Sequence, residues 1–465
     1  MGVKPVPTSS GRAEPAAAPG RRDHIPFHHI LALGATSMPL GLIVIVFSVF
    51  LPRFYVSLGL SFAAVGAALL IVRLLDVALD LIVGLAMDQT RTPIGRYRPW
   101  LLAGAPILML GVYHLLLPRG PVSQLYLIGW LLAAYLGFSI LTLSMAAWGA
   151  NVAAAYHERA RVYGVVQAMS TLSATTLLLL GVLTGGRIEP GKPASMWVIG
   201  AIIVIAIPIG VALTSLFTPE RKPTGLTQAR FSLADYGLAL KRPAMLRVIA
   251  ADLILTLGAG STAPIYVYFF HDAKGFSIAD TGSLLVFYIA AGLVGAPFWS
   301  AVAHRTSKHR ALQAACVAAA LTQGALVTVP AGLYLATALA MFSVGFCVAG
   351  FVPLIRAMVA DIADEVRLET GKDLSSVIYA MVTTTQKVGT ALTVAIIFPV
   401  LGLIGYQGGE GAHNSPAAVF GLEMCYLFAP VIMLALGAAT MIGYTLDAAR
   451  HGEIRAALEA KDAAQ

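Results

Sequence analysis

Residues 71–100 read IVRLLDVALDLIVGLAMDQTRTPIGRYRPW. The first part is apolar and helix-forming, yet it carries Arg73, Asp76 and Asp80. Spacings of three and four residues put these three charges on one helical face. The second part ends the helix with Gly, Thr and Pro and adds Asp88, Arg91, Arg96 and Arg98. A charge at the centre of a bilayer costs about 2.5–3.5 kcal/mol on insertion scales, so three on one span ask for a reason.

The rest of the chain shows that this stretch belongs to a membrane. Of 465 residues, 58% are hydrophobic and 12% charged, where globular domains carry roughly 25% charged residues. The mean hydropathy is +0.80, which excludes a soluble enzyme as the first reading. Apolar runs fall at approximately 27–52, 63–87, 99–117, 123–152, 162–185, 195–217, 245–270, 279–302, 310–329, 331–357, 376–403 and 417–446. Each is close to the ~20 residues that a spanning helix needs. Runs this long do not suit a β-barrel, whose strands alternate over about 10 residues. The expected fold is all-α and integral to the membrane, with twelve transmembrane helices in two six-helix bundles. A first bundle at 27–217 and a second at 245–446 are joined by a basic loop, 218–244. Residues 1–26 lack the apolar stretch of a signal peptide and read as a flexible cytoplasmic tail; residues 447–465 form a second cytoplasmic tail.

The net charge of +8 does not point to nucleic acid, because the basic residues sit in short loops between apolar runs. With the N-terminus in the cytoplasm, twenty-four Lys and Arg fall on the cytoplasmic side and five outside. Arg73 and Lys387 lie inside spans. This bias predicts that both ends face the cytoplasm. Cys316, Cys347 and Cys425 lie in apolar runs without CxxC or zinc spacing, so neither a disulfide framework nor a metal site is expected. There is no HExxH and no P-loop, and an enzyme or a direct ATP-driven pump is not expected.

At ~1.5 Å per residue, Asp76 lies about 20 Å into its span and Asp80 roughly 6 Å deeper. Two carboxylates one turn apart repel when both are ionised. A shared proton, a bound Na⁺ or Arg73 relieves the repulsion. The pair is therefore either a cation site or a structural brace with Arg73, and the two roles can coexist. Lys387 is the other deep charge. Its neighbours Thr383, Thr384, Thr385 and Gln386 mark a face that lines a wet cavity; the alternative is packing against a carboxylate of the other half. Asp252 and Glu423 sit nearer span ends, as interfacial residues do.

The stretch at 73–100 resembles the signature of the glycoside–pentoside–hexuronide:cation symporters, the melibiose-permease-like branch of the major facilitator superfamily. Arg73, Asp76, Asp80, Gly84, Asp88, Thr90, Gly95, Arg96, Arg98, Pro99 and Trp100 carry the resemblance. Tyr156-His-Glu158-Arg159 is a second match. A third comprises Asp361, Asp364, Glu365, Thr370-Gly371-Lys372, Tyr379, Lys387 and Gly389. The resemblance implies the major facilitator fold with alternating access, cation binding at Asp76 and Asp80, and Lys387 near the cation and sugar sites. It also implies a conformational latch of Gly84, Asp88, Arg96 and Arg98, in which Gly84 permits close helix contact. Positive-inside anchoring is the plainer reading of the arginines. Residues 299–306, WSAVAHRT, are the counterpart in the second half, with His304 where an acid is common.

The departures bear on the substrate. Ser37, Ser144 and Gln167 stand where sugar-binding family members carry charged residues, and Leu79 replaces an asparagine of the cation site. Trp148 matches a sugar-stacking aromatic, against a packing role. Loss of an oxygen ligand beside Asp80 favours H⁺ over Na⁺. The expected activity is cation-coupled symport of a sugar, glycoside or similar small solute. Arg73, Ser37, Ser144, Trp148, Gln167, Tyr379, Thr383 and Lys387 are the candidate substrate residues. The alternatives are transport of an amphipathic substrate, a lysolipid or drug-like molecule, and a receptor or assembly protein that borrows the fold. No cofactor is expected beyond the coupling H⁺ or Na⁺, and no metal beyond Na⁺ at Asp76 and Asp80. A monomer in a bacterial inner membrane is expected, with the lipid bilayer as its surroundings.

Overall fold

The computed structural model describes residues 25–152, 156–188, 192–220, 237, 240–371, 374–408 and 413–463. Twelve long helices follow one another through the described residues. They are α1 (Phe27–Ser57), α2 (Phe62–Gln89), α3 (Arg98–Leu116), α4 (Gln124–Val152), α5 (Tyr156–Leu183), α6 (Pro193–Phe217), α7 (Pro243–Ala273), α8 (Ile278–Arg305), α9 (Lys308–Thr328), α10 (Tyr334–Thr370), α11 (Ser375–Leu403) and α12 (Pro416–Thr440). Eleven are apolar enough to cross a membrane by composition. The twelfth, α2, is the charged helix with which the sequence reading began, and its 28 residues are long enough to span. The chain is an integral membrane protein. Most of the loop 218–244 and the tail 1–26 lie outside the described residues.

Local chemistry sets the helix ends and breaks. Ser61, Ser277 and Ser415 start α2, α8 and α12 by accepting the N–H three residues on. Gly371 ends α10 in the left-handed region at φ 71°. Helix α1 contains a π-helical stretch at Val46–Phe50 and α7 another at Phe269–Ala273. The residues between Ser261 and Tyr266, with Pro264 among them, interrupt α7. Such irregularities bend helices because ladder hydrogen bonds are lost or shifted. Glycines bring α3 and α4 together: a Cβ on Gly111 would sit 2.6 Å from the Ala134 nitrogen. In lipid, where apolar burial does not drive helices together, such close approach supplies packing energy.

The loops alternate between two ends of the bundle, which we name the basic end (loops after α2, α4, α6, α8, α10 and α12) and the opposite end. Buried apolar side chains form two clusters. One runs through the first half of the chain and continues into 265–276 and 397–406 at the opposite end of the second half. The other is confined to residues 244–458. The halves thus share one core at the opposite end and have separate cores at the basic end. Helix pairs α2–α11 and α5–α8 make the junction. A Cβ on Gly282 of α8 would sit 2.5 Å from the Leu178 carbonyl oxygen of α5. Phe62 of α2 meets Tyr268, Phe398 and Tyr406 of the second half at centroid distances of 5.6, 5.2 and 6.1 Å. Arg53 lies 5.1 Å over the Tyr268 ring, and Tyr406 donates to Asp272. These contacts close the opposite end.

Residues 447–465, expected as a tail, contain a helix, α13 (Ala448–Ala463). Ile454 and Leu458 are buried against the second core, and His451 lies 3.2 Å from both Asp361 and Asp364 of α10.

Candidate functional site

Helix α2 turns its charged face toward α4 and α11. Ser139 of α4 donates to Asp76 Oδ1 at 2.8 Å, and Lys387 of α11 donates to Asp76 Oδ2 at 3.1 Å. The same ammonium hydrogen-bonds Asp80 Oδ2. The Asp76 side chain is 2% exposed, Asp80 22% and Lys387 26%, so access is from the Asp80 side. Asp80 Oδ1 is buried without a partner. This ammonium thus links the two halves by hydrogen bonds and ion pairs. Two carboxylates and one ammonium leave one negative charge uncompensated within the trio. A cation at Asp80 removes that charge and competes with Lys387.

Arg73 does not brace Asp76. Its guanidinium lies 4.3 Å from the centroid of the Tyr135 ring and forms no ion pair among the described residues. Helices α2 and α4 run in the same direction, and Tyr135 and Ser139 are one turn apart. They therefore face Arg73 and Asp76 in register. The aromatic face takes the cation, and Lys387 takes the carboxylate. Arg73 also lines a cavity of about 100 Å³ with Phe47, Ser48, Tyr135, Gly260 and Thr390.

Helix α11 presents the remaining polar groups. Thr383 Oγ1 donates to the Tyr379 carbonyl at 3.0 Å, and Tyr379 Oη donates to the Arg356 carbonyl at 3.2 Å. Both side chains are on exposed positions, as is Gln167 of α5, which donates to Thr171 at 3.3 Å. Gln386 donates to Asp252 Oδ1 of α7 at 3.0 Å. Asp252 is buried inside the protein, and its Oδ2 has no partner among the described residues. Glu423 lies 3.6 Å from Lys274 at the opposite end.

Three candidates are turned away from this face. Ser37 donates to the Gly34 and Val166 carbonyls, stitching α1 to α5. Ser144 is fully buried, 4.0 Å from the Met87 sulfur. Trp148 is also fully buried; its Nε1 donates to the Pro219 carbonyl at 3.0 Å and Arg98 lies 5.6 Å over its ring. In this conformation Trp148 packs rather than stacks on a ligand.

The latch region is organised by a residue that the sequence reading passed over. Glu220, just after α6, accepts the backbone N–H groups of Arg96 and Tyr97. Arg96 Nε donates to the Met87 carbonyl at 3.0 Å, and Arg98 Nη2 donates to the Thr218 carbonyl at 3.1 Å. These contacts stay within the first half. Gly95 adopts φ 117°, and a Cβ there would collide with the Glu220 carboxylate. A lone acid beside Arg221 and Lys222 was the available signal. The expected close contact at Gly84 is absent, since a Cβ there would meet nothing within 4 Å. The halves have parted at this end, so the Gly84 face of α2 has no neighbour there, while Met87 on another face packs against α4. The side chains of Asp88 and of 156–160, and residues 372–373, lie outside the described residues.

A family profile described as MFS/sugar transport protein matches residues 32–448. The chain belongs to this family. It is a membrane transporter of the major facilitator superfamily and not an enzyme, in agreement with the signature at 73–100. It is 26% identical over 459 residues to the isoprimeverose transporter of Lactiplantibacillus pentosus, covering 94% of this chain and 93% of that one. It is 24% identical over 432 residues to a glucuronide carrier protein homolog of Escherichia coli K12, covering 88% and 90%. In fold it is similar to the nucleoside transporter NupG, with a TM-score of 0.65, 14% identity, and coverage of 90% of this chain and 100% of that one.

Proposed function

We propose that this transporter carries a neutral sugar or glycoside together with a cation, and that the cation is H⁺. The observation behind this reading is the bridge from Lys387 to Asp76 and Asp80 across the two halves. Protonation of Asp80 removes one of the two charges that hold Lys387. The link between the halves weakens, and the bundles are free to rock about the opposite-end junction. Na⁺ prefers several oxygen ligands, and among the described residues Ser139 is the one hydroxyl bonded to the pair while Leu79 offers none. A proton needs only the free oxygen of Asp80.

The open face of α11, with Tyr379, Thr383 and Lys387, and the exposed Gln167 of α5 supply donors and acceptors for sugar hydroxyls. Relatives named for isoprimeverose and for glucuronides point to glycosides of this size. The positive-inside bias supports a cytoplasmic basic end, and on that reading the described conformation opens to the inside.

The test is sugar-driven H⁺ and Na⁺ flux in proteoliposomes, with a panel of neutral disaccharides, glucuronides and lysolipids. A sugar-induced proton flux lost in Asp80→Asn supports the reading. A response to lysolipid alone supports the amphipathic alternative. An apolar groove of about 400 Å³ between α1, α5 and α6 favours that alternative.

A further inference from the structure

At the basic end of the second half, the start of α9 and the segment between α12 and α13 enclose a groove of about 530 Å³. Ser307, His309, Arg310, Gln313, Tyr444 and Asp447 form its polar wall. Helix α9 has 21 residues and begins in this wall, where first-turn N–H groups have no intrahelical acceptor. Ser307 occupies the capping position, yet its hydroxyl does not cap the helix. That hydroxyl is buried and has no partner, and Ser307 is 6% exposed. The Tyr444 hydroxyl is likewise buried without a partner, in a residue 7% exposed.

Buried hydroxyls are normally hydrogen-bonded. Two unpartnered ones beside a helix N-terminus point to a ligand rich in acceptors. The charges facing these hydroxyls are mixed: burial and the Asp361 and Glu365 carboxylates push the Tyr444 hydroxyl's pKa up, so the positive side rests on the arginines. Arg310 is in the wall, and Arg247 donates to the Gly443 carbonyl that lines the groove. The His309 ring lies 5.6 Å from that of Tyr444. Asp447 is the carboxylate of the wall; its Oδ1 accepts the Arg450 N–H at 2.9 Å and caps α13. Lys308 points away, to Asp361 at 2.5 and 2.7 Å. Gln313 is taken by the Ala438 carbonyl at 3.2 Å.

We propose that this groove is an oxyanion site for a phosphate group, held by Ser307, Tyr444, Arg310 and the α9 N-terminus. It lies where α9 leaves the membrane, so the phosphate of a lipid headgroup and a free phosphate both reach it.

The test uses full-length protein stripped of lipid in detergent. Its thermal midpoint is followed against inorganic phosphate, against phosphatidylglycerol, and against chloride at matched ionic strength. We expect a saturable rise with a phosphate-bearing ligand and none with chloride. Response to the lipid alone assigns a headgroup; response to inorganic phosphate assigns a free-phosphate site. The Ser307→Ala/Tyr444→Phe double variant keeps its midpoint without ligand and binds at least about tenfold more weakly, because hydrogen bonds to a charged group are lost. Arg310→Gln, at an exposed position, gives a second weakened variant that does not disturb buried groups. No rise with either ligand, an equal rise with chloride, or unchanged affinity in both variants overturns the proposal.

Discussion

Lys387 holds Asp76 and Asp80 from the other half, so removing it leaves a buried and a half-buried carboxylate facing each other. Breaking a buried ion pair by removing one partner costs 3–5 kcal/mol, and partial exposure puts this case near ~3 kcal/mol. Lys387→Ala should therefore lower the thermal midpoint sharply, and Asp80→Asn in the same background should recover part of the loss. A Lys387→Ala midpoint equal to wild type would show that the bridge contributes nothing. Asp80→Asn alone removes the carboxylate and keeps its shape. Its expected phenotype is loss of uptake against a gradient with retention of sugar exchange, measured in vesicles with and without a proton gradient. Gly95→Ala is argued differently, from backbone. At φ 117° an L-residue is strained by roughly 1–2 kcal/mol, and the added methyl displaces Glu220. The variant should unfold earlier, as Glu220→Ala should, because the Arg96 and Tyr97 N–H groups lose their acceptor.

At the scale of elements, α13 is attached to α10 by charge and by two apolar side chains. His451 and Arg455 reach Asp364 at 3.2 and 3.8 Å, and Ile454 and Leu458 are buried. Exposed ion pairs contribute about 0.2–1 kcal/mol each, whereas each buried apolar side chain contributes roughly 1.5–3 kcal/mol. The apolar contacts should dominate. Leu458→Ala should raise amide hydrogen exchange across 448–463 well above wild type. Asp364→Ala should raise it only slightly, and both should leave the global midpoint within a few degrees. Equal exchange in the two variants would mean that charge, not burial, docks the helix.

For the whole molecule, the shared core at the opposite end and the split cores at the basic end define the described conformation of the transporter. Cys316 and Cys347 are buried and Cys425 is half-buried, so an added cysteine can be read against a quiet background. Thr383→Cys should label with an impermeant thiol reagent from the basic end. Phe62→Cys should be protected, because its ring is enclosed by Tyr268, Phe398 and Tyr406. Phe62→Ala should release that protection and speed labelling from the opposite end at a second reporter, Phe398→Cys. Labelling of Phe62→Cys without added sugar, at the rate of Thr383→Cys, would contradict a closed opposite end.

The span count, the helical class and the family were legible in the sequence. They depend on length, hydropathy and local spacing, which physics reads one segment at a time. That Asp76 and Asp80 share a face followed from helical geometry alone. The partner of that face did not: Lys387 lies more than 300 residues away, and only packing of α2 against α11 brings it there. Arg73, near in sequence, was the natural partner on spacing, yet Tyr135 offered its cation an aromatic face and the carboxylate went to Lys387. Ser144 and Trp148 aligned with binding residues, but side-chain direction on α4 turned them into the protein. Glu220 and the start of α13 had little signature because their contacts are backbone and long-range. A sequence determines which segments must enter the membrane, since that is a transfer free energy summed along the chain. Which charges meet inside it is decided only when the helices pack, because burial then forces each one to find a partner.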